Sequence, residues 1–286
     1  MTQSRFWYQA LTPKMMFFAL FVVIPSILAI FIAMSHVTPG HLSWVGLRNF
    51  RNVLSSSTFW LSVKNTILYT AVTTPVVVVI ALVISSLLMT LPGFWQSFFR
   101  TLFYIPSITS AVVMALVWAW IYDDSSGLIN GLLRALRLHG IEWLVNPHLA
   151  LWSIMLMTVL IPPGFGIVLY MAQLGSIPQF YYEAASLDGA GPWAKFRHIT
   201  WPMVMPTTLY LIVMHTIAAF QIFTAIYIMT GGGPGHSTLT IVGEIYDTGF
   251  QYFELGHAGA EAVLLGLIIA GFSILQFKVF GRHVEY

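Results

Sequence analysis

The sequence predicts an all-α fold, a polytopic membrane bundle of six transmembrane helices. Of its 286 residues, 58% are apolar and only 8% are charged, whereas an average globular protein carries about 25% charged residues. A soluble domain with so few charges would expose apolar surface and aggregate. In addition, six stretches approach the roughly 20 apolar residues that cross the hydrocarbon core of a bilayer. An integral membrane protein in contact with lipid is therefore expected.

Helices are the expected element in all six stretches. A backbone in lipid must satisfy its own hydrogen bonds, and the stretches are too long and too uniformly apolar for barrel strands. No Asp, Glu, Lys or Arg lies at the centre of any stretch, although Glu261 and Lys278 lie near the ends of the sixth. The predicted spans are residues 15–35, 65–89, 101–122, 150–174, 207–230 and 258–280. Together they form one domain, 15–280, between short termini at 1–14 and 281–286.

Several predicted spans contain proline, which removes an intrahelical hydrogen bond and kinks or breaks a helix. Such breaks are tolerated where the backbone faces protein or a wet cavity. The pair Pro162-Pro163, followed by Gly164, is the strongest candidate for a break that lines a pathway. Simple packing kinks are the alternative, and they are common in membrane helices.

The distribution of lysine and arginine predicts that both termini are cytoplasmic. An even number of spans places the termini on one side, and the side richer in Lys and Arg is usually inside. The side of the termini carries seven of these residues and the other side carries five. The seven are Arg5, Lys14, Arg100, Lys195, Arg197, Lys278 and Arg282.

The fourth and fifth predicted spans are joined by residues 177–202, which we call the Glu183 segment. Pro178 stands where a helix can start, because its missing N–H costs nothing in a first turn. Residues 179–188 then favour a helix about 15 Å long. Gly189 is a natural stop, since glycine reaches the left-handed conformation cheaply.

A second short helix is expected after this glycine, opened by Pro192 and ended by Trp201-Pro202. Ala184 and Ala185 leave the first helix smooth enough for close packing, and the Glu183 carboxylate can form a charge-assisted bond to an arginine or lysine. Physical reasoning leaves two interpretations open. The segment is a docking site for something outside the membrane, or it is a loop that packs under the bundle.

The Glu183 segment resembles the cytoplasmic signature of the permeases of ABC importers. That signature is Glu-Ala-Ala, three residues, Gly, nine residues and Ile-x-Leu-Pro; here it reads Glu183-Ala184-Ala185, Gly189, Ile199-x-Trp201-Pro202. Ile177-Pro178 and Leu187-Asp188-Gly189-Ala190 resemble the carbohydrate-uptake branch, which includes maltose and glycerol-phosphate permeases. Further matches cover nearly the whole chain in the family's order: Pro25, Gly46-Leu47-x-Asn49-Phe50, Phe59-Trp60, Asn65-Thr66, Arg100 with Pro106, Trp118, Gly127-x-x-Asn130, Met229-Thr230-Gly231-Gly232-Gly233-Pro234 and Gly256-x-Ala258.

This resemblance implies a type I ABC importer permease fold in the bacterial cytoplasmic (inner) membrane, with residues 177–206 as a cytoplasmic coupling loop. The implied partners are two ABC ATPase subunits, which bind ATP and Mg, and an extracytoplasmic solute-binding protein. The Met229–Pro234 element resembles one of two permease types that pair, which implies a heterodimer with a second, different permease. The residues implied in ATPase coupling are Glu183, Ala184, Ala185, Asp188, Gly189, Ile199 and Pro202.

Two positions depart from the family pattern. Trp201 stands where the family usually has Leu, so local packing must differ there. Phe223-Thr224 stands where many relatives have Phe-Asp, so any role of that carboxylate cannot be transferred to this chain.

No catalytic site, metal site or cofactor is expected in this chain. It has no Gly-x-x-x-x-Gly-Lys phosphate loop, and it has no cysteine for disulfides or thiolate zinc sites. A net charge of +2 gives no reason to expect nucleic acid. ATP must therefore be hydrolysed by a partner, and the Glu183 segment is expected to transmit the motion as a rigid body to the adjoining spans.

Candidate substrate contacts lie in the fifth predicted span. At 100° per residue, Gln221 and Thr224 share a helix face, and Tyr227 and His215 are near them along the span. The alternative is that these polar groups join helix to helix. The mid-span region has no cationic group, which favours a neutral sugar or oligosaccharide.

Three other substrates and one other mechanism stay open. Within the same architecture, the substrate could be glycerol-3-phosphate, a glycerophosphodiester or a polyol. A more remote alternative is an ion-coupled secondary transporter, which needs ionisable groups deep in its helices. The nearest such group is Glu261, which lies close to the edge of its span and is expected to face water.

Overall fold

Helices make up nearly all regular structure in the computed structural model, which describes residues 11–38 and 40–281. The predicted terminal residues 1–10 and 282–286, with Arg5 and Arg282, lie outside the described residues. The first elements are α1 (Leu11–Ala33), β1 (Ser35–Thr38), β2 (His41–Trp44), α2 (Arg48–Ser55), α3 (Ser57–Leu88), α4 (Gly93–Ile108), α5 (Ala111–Ile121) and α6 (Leu128–Ala135). They are followed by α7 (Ala150–Leu160), α8 (Gly164–Ser176), α9 (Gln179–Leu187), α10 (Pro192–Phe220), α11 (Thr224–Met229), α12 (Ile241–Tyr246) and α13 (Leu255–Phe280).

Six membrane spans can be formed from these helices. Within the described residues, α1, α3, α10 and α13 are each long and apolar enough to cross a bilayer. Two further spans are bent pairs: α4 with α5, bent by 93°, and α7 with α8, bent by 41°. The second bend lies at Pro162-Pro163, where the sequence predicts a break.

The helices extend beyond the predicted spans, because hydropathy marks only the part of a helix that lies in lipid. Helix α3 begins at Ser57, ahead of the predicted start at residue 65, and α13 begins at Leu255 rather than at residue 258. The third predicted span, 101–122, is wrong as a single helix. Its first half, α4, ends just after Pro106, and the chain turns through Thr109 and Ser110 before α5.

The helix that contains the predicted fifth span, 207–230, differs from that span at both ends. Helix α10 begins at Pro192 and runs through Trp201-Pro202 instead of ending there. A π-helical turn, Phe196–Thr200, directly precedes the proline, and the Trp201 N–H bonds to the Phe196 carbonyl. This wider turn accommodates Pro202, which has no N–H of its own. At the other end α10 stops at Phe220, and the helix resumes only at α11.

The chain divides into two compact units. The first holds the described residues up to Trp60 together with Ile241–Leu267. In it, β1 and β2 pair as an antiparallel hairpin, with Ser35 opposite Trp44. The buried Asn49 side chain donates hydrogen bonds to the carbonyls of Ala33 and Ser35, both at 2.9 Å, and so fixes α2 against the start of the hairpin.

Glu261, also in the first unit, is buried with 4% of its surface exposed, so the expectation that it faces water is wrong. Thr248 Oγ1 donates to Glu261 Oε1 at 3.4 Å. Because α13 begins at Leu255, Glu261 lies in the second helical turn, where the π-helical turn Asp247–Gln251 covers it. Ahead of α13, residues 241–251 form α12 and this π-helical turn.

The second unit holds Leu61–Thr240 and the rest of α13, and it contains two buried apolar clusters. One cluster joins α3, α5, α7 and α11 around Tyr122 and Ile154. The other joins α3, α8 and α10 around Ile167 and Tyr170. Because lipid is as apolar as these side chains, the clusters hold the helices together through close van der Waals packing.

Asp123 fixes the turn that follows α5. Its Oδ1 atom accepts hydrogen bonds from the backbone N–H of Ser126 at 2.7 Å and of Ser125 at 3.1 Å, and from both serine hydroxyls at 2.9 Å. The bonds from Ser126 and Ser125 stabilise the carboxylate and lower the pKa of Asp123 to about 2. The Asp123 carboxylate is therefore charged at neutral pH and keeps its hydrogen bonds to the turn.

Asn130 closes the loop that follows α6. The residue is 1% exposed. Its Nδ2 atom donates to the Ile141 carbonyl at 2.9 Å, and its Oδ1 atom accepts from the Ile141 N–H at 3.0 Å and from Trp143 Nε1 at 3.2 Å. One side chain therefore satisfies three groups that would otherwise be buried without partners.

We expect Asn130→Ala to lower the free energy of unfolding by about 1–3 kcal/mol, the usual penalty for buried polar groups left without partners. The measurement is thermal or denaturant unfolding of the purified chain in detergent. Asn146→Ala is the matched control, because Asn146 makes a single exposed hydrogen bond to the His148 N–H. Equal losses in the two variants would contradict the structural role given to Asn130.

Candidate functional site

The Glu183 segment begins with the helix that the sequence predicts. Pro178 has extended backbone angles and immediately precedes α9, and Asp188 follows the last helical residue. Gly189 has a φ of +76°, the left-handed conformation that ends the helix. A Cβ atom added to Gly189 would have no neighbour within 4 Å in this chain.

Helix α9 is held to the start of α10 by two polar contacts. Tyr182 Oη and Thr200 Oγ1 are hydrogen-bonded at 2.9 Å. Lys195 Nζ donates to Ser186 Oγ at 2.7 Å. Because both contacts join side chains across the turn at Gly189, they favour movement of the two helices as one body.

The two signature positions at the end of the segment lie on its inner side. Ile199 and Trp201 are half-buried and pack against the apolar cluster of α3, α8 and α10. The Trp201 ring also lies 6.4 Å from the Phe196 ring, centre to centre. Tryptophan in place of leucine is therefore accommodated by this interior packing.

The outer surface of the Glu183 segment is exposed and carries both charge and apolar groups. Glu183, Ala184, Asp188, Gly189 and Pro202 are exposed, and Ala185 is half-buried. Within the part of the chain that the structure describes, no ion pair involves Glu183.

Sequence reasoning missed two apolar side chains of this surface. Leu187 is 91% exposed and Trp193 is 71% exposed. Large apolar groups beside an exposed carboxylate are typical of a protein-docking surface. Their only signal in the sequence is an apolar residue on each side of the Asp188–Gly191 turn.

A cavity of about 280 Å³ lies between α3, α10 and the break that separates α7 from α8. We call it the main cavity. It is lined by Tyr69, Thr73, Thr74, Val77, Thr158, Ile161, Pro162, Pro163, His215, Ala218, Ala219 and Ile222. The prediction that the proline pair lines a cavity agrees with this geometry.

Hydrogen bonds hold the polar side of the main cavity in place. Tyr69 Oη lies 2.8 Å from Thr158 Oγ1, which donates in turn to the Ile154 carbonyl at 3.1 Å. Pro162 has no N–H, so the Thr158 carbonyl lacks its usual helical partner. The cavity therefore combines hydroxyl groups and a free backbone acceptor with apolar and proline walls.

Of the four candidate substrate residues, the structure places only His215 in the wall of the main cavity. Gln221 lies in the exposed turn after α10, and Thr224 begins α11, so the two do not share one helix face as predicted. Tyr227 is exposed, and its ring stacks on Phe223 at 5.1 Å. The same-face argument fails because it assumes a continuous helix through residues 221–223.

The polar residues that sequence reasoning missed come from two other helices. Tyr69 and Thr73 lie one turn apart on α3, and Thr158 lies near the end of α7. The signals that could have found them are the four-residue spacing of Tyr69 and Thr73, and a threonine four residues before Pro162. These residues meet His215 of α10 because α3, α7 and α10 pack together.

The main cavity carries no fixed charge. Its lining contains no Lys, Arg, Asp or Glu. Throughout the residues that the structure describes, no group of three or more His, Cys, Asp or Glu side chains is placed to hold a metal ion. Hydroxyl, imidazole and carbonyl groups suit a neutral, hydroxyl-rich molecule.

Comparison with known proteins gives consistent matches over the full chain. Residues 14–285 match the family described as "Binding-protein-dependent transport system inner membrane component". The arabinooligosaccharides transport system permease protein AraP of Bacillus subtilis is 29% identical, over 96% of this chain and 88% of that protein. The sn-glycerol-3-phosphate transport system permease protein UgpA of Yersinia pestis is also 29% identical, over 98% of this chain and 95% of that protein.

The fold is also similar to a chain of a solved transporter. That chain belongs to a bacterial ABC transporter involved in the import of the acidic polysaccharide alginate. The TM-score is 0.84 at 22% sequence identity, with 99% of this chain and 97% of that chain covered. At this level of identity the match establishes the fold.

Proposed function

We propose that this chain forms half of the pathway of an importer for a sugar or oligosaccharide. The proposal starts from its family: the chain belongs to the binding-protein-dependent transport system inner membrane components. Members of this family are membrane-spanning permease components of ABC importers, not enzymes. ATP is handled by partner ATPases, and the solute is delivered by a binding protein. The substrate, the pairing of permeases and the residues that couple them are our proposals.

One observation carries the proposal of a neutral sugar: the main cavity is uncharged and offers hydroxyl groups beside apolar walls. Sugars present hydroxyls and apolar ring faces together, so this lining complements them. A relative that transports arabinooligosaccharides agrees with this choice. His215, Thr158 and Tyr69 are the residues that we assign to substrate contact.

A second candidate substrate is glycerol-3-phosphate, because UgpA is equally similar in sequence. A phosphate group is usually bound by arginine, lysine or several backbone N–H groups. The described lining of the main cavity offers no cation. A neutral sugar is therefore the better match, and a neutral polyol would use the same chemistry.

We assign coupling to the exposed surface of the Glu183 segment. Glu183 supplies a carboxylate for a cationic partner, Ala184 and Ala185 allow close approach, and Gly189 sets the turn. Asp188 borders the turn, while Ile199 and Pro202 lie within α10, where the segment continues into the span. The contacts between α9 and α10 support movement as a rigid body when the ATPases close.

The topology follows from this assignment. Docking of cytoplasmic ATPases requires residues 177–206 to be cytoplasmic, and six spans then place both termini on the same side. We further propose that a second, different permease completes the pathway, with two ATPase subunits that bind ATP and Mg. Co-purification of two distinct permeases with an ATPase tests this composition, and a complex of identical permeases would contradict it.

Uptake into proteoliposomes tests the substrate. The complete transporter, with its binding protein, is expected to import a neutral oligosaccharide in the presence of ATP and to leave glycerol-3-phosphate outside.

Thr158→Val keeps the side-chain shape and removes one hydroxyl, and we expect uptake to fall by about three- to tenfold, the equivalent of roughly 0.7–1.4 kcal/mol.

Thr101→Val is the matched control for this variant. Thr101 Oγ1 bonds to the Ser97 carbonyl on an exposed helix face, outside the main cavity. Uptake should be unchanged in this control. Preferential import of glycerol-3-phosphate, or equal losses in both variants, would refute the assigned substrate or its site.

A further inference from the structure

A second cavity, of about 200 Å³, lies between α3, α10 and the end of α13. We call it the side cavity. It is lined by Ile67, Thr70, Ala71, Thr74, Pro75, Ile212, Thr216, Phe220, Phe272 and Gln276. Thr74 lines both cavities, so the side cavity adjoins the main cavity at this residue.

The side cavity contains polar atoms that lack partners among the described residues. Thr70 and Thr74 are 6% and 5% exposed, and neither hydroxyl has a hydrogen-bond partner there. Gln276 Nε2 donates to Thr216 Oγ1 at 2.7 Å. The other polar atom of this side chain, Oε1, has no partner among the described residues.

These three atoms specify the chemistry of an occupant. Each buried polar atom without a partner costs about 1–3 kcal/mol, and the cost rises in the hydrocarbon region. The walls carry no charged side chain, so a neutral molecule with hydrogen-bond donors fits. Water meets this requirement, since a cavity of this size holds several molecules at about 30 Å³ each.

We propose that the side cavity is a water-binding site. Its water molecules bridge the side chains of Thr70, Thr74 and Gln276, and they exchange with the main cavity past Thr74. Pro75, which lies inside α3, also lines this site. The proposed water site does not depend on which solute the transporter imports.

A lipid acyl chain is the competing occupant, because most of the wall is apolar. An acyl chain would leave all three polar atoms without partners, which argues against it. The two occupants differ in whether a water-soluble reagent reaches Thr70.

The chain contains no cysteine, so a single introduced thiol reports on its own surroundings. Thr70→Cys is the probe, since Thr70 lines only the side cavity. In the assembled transporter we expect a small, charged, water-soluble thiosulfonate to modify it, because thiolate forms and reacts in contact with water. Mass spectrometry of this chain measures the rate.

Thr66→Cys is the control, one turn earlier on α3. Thr66 is fully buried, its hydroxyl donates to the Ser62 carbonyl at 2.8 Å, and it lines neither cavity. Thr70→Cys should react at least about tenfold faster than this control. Equal, slow rates at both positions, or labelling of Thr70→Cys by a lipid-soluble reagent alone, would overturn the proposal.

Thr70→Val gives an independent test through the sign of a stability change. If water bonds to the Thr70 hydroxyl, its removal lowers the thermal midpoint of the transporter. If the cavity is dry, loss of an unpaired hydroxyl leaves the midpoint unchanged or raises it. A raised or unchanged midpoint would therefore count against bound water.

Discussion

Gly189→Leu is expected to reduce uptake by about tenfold or more while the complex still assembles and hydrolyses ATP. A Cβ atom added at this position meets no atom of this chain within 4 Å, so we expect the side chain to collide with the ATPase that we propose docks on the Glu183 segment. A misfit of about 1.4 kcal/mol at such a contact already changes an equilibrium tenfold. Parallel measurement of uptake and ATPase activity in proteoliposomes should show a lower ratio of transport to hydrolysis.

The backbone cost of this substitution can be measured separately. A side chain at φ +76° costs roughly 1–2 kcal/mol wherever it occurs. Gly40, in the turn between β1 and β2, has a φ of +78° and open space around its Cβ position. Gly40→Leu should therefore lose similar stability but keep uptake coupled to hydrolysis. Normal uptake by the Gly189 variant would remove the coupling role from this turn.

Gly164→Ala is expected to destabilise the second unit by about 3 kcal/mol or more and to reduce the yield of folded protein sharply. Its new Cβ atom would lie 2.5 Å from the Phe103 carbonyl oxygen and 2.7 Å from Tyr104 Cα. Both neighbours are backbone atoms of α4, which cannot move aside by rotating a side chain. Size-exclusion profiles and thermal unfolding in detergent measure the effect.

Gly175→Ala is the contrasting variant on the same helix. The nearest atom to its added Cβ would be Met89 Cε at 3.8 Å, an ordinary contact at the end of a flexible side chain. Replacing an interior helical glycine by alanine usually adds about 0.5–1 kcal/mol of stability. Opposite signs for the two variants would establish that α8 packs on α4 through Gly164, whereas two neutral results would contradict that packing.

Several features of the fold depend on short stretches of sequence, and these were predictable. The apolar stretches give the number of spans, Pro162-Pro163 gives a break, and Gly189 ends α9. In each case the cause is local: transfer of apolar side chains into lipid, a missing N–H, or the low cost of a left-handed glycine. The same local signature led to the family before any helix packing was known.

The elements that were mispredicted depend on more distant contacts. Pro202 was expected to end a helix, but a π-helical turn lets α10 continue through it. Glu261 was expected to face water because hydropathy says nothing about which element will cover a side chain. Gln221 and Thr224 were assigned to one face because nothing in the composition of residues 221–223 indicates that α10 stops there.

By itself, the sequence determined that this protein is a helical membrane permease with a Glu183 segment between two spans, since periodicity, composition and a local motif suffice for that. Only the tertiary structure decided which side chains line the main cavity. Tyr69, Thr158 and His215 come from α3, α7 and α10, and they meet because packing, rather than sequence spacing, brings these helices together. It also decided that Trp201 packs against an apolar cluster, while Leu187 and Trp193 stay exposed.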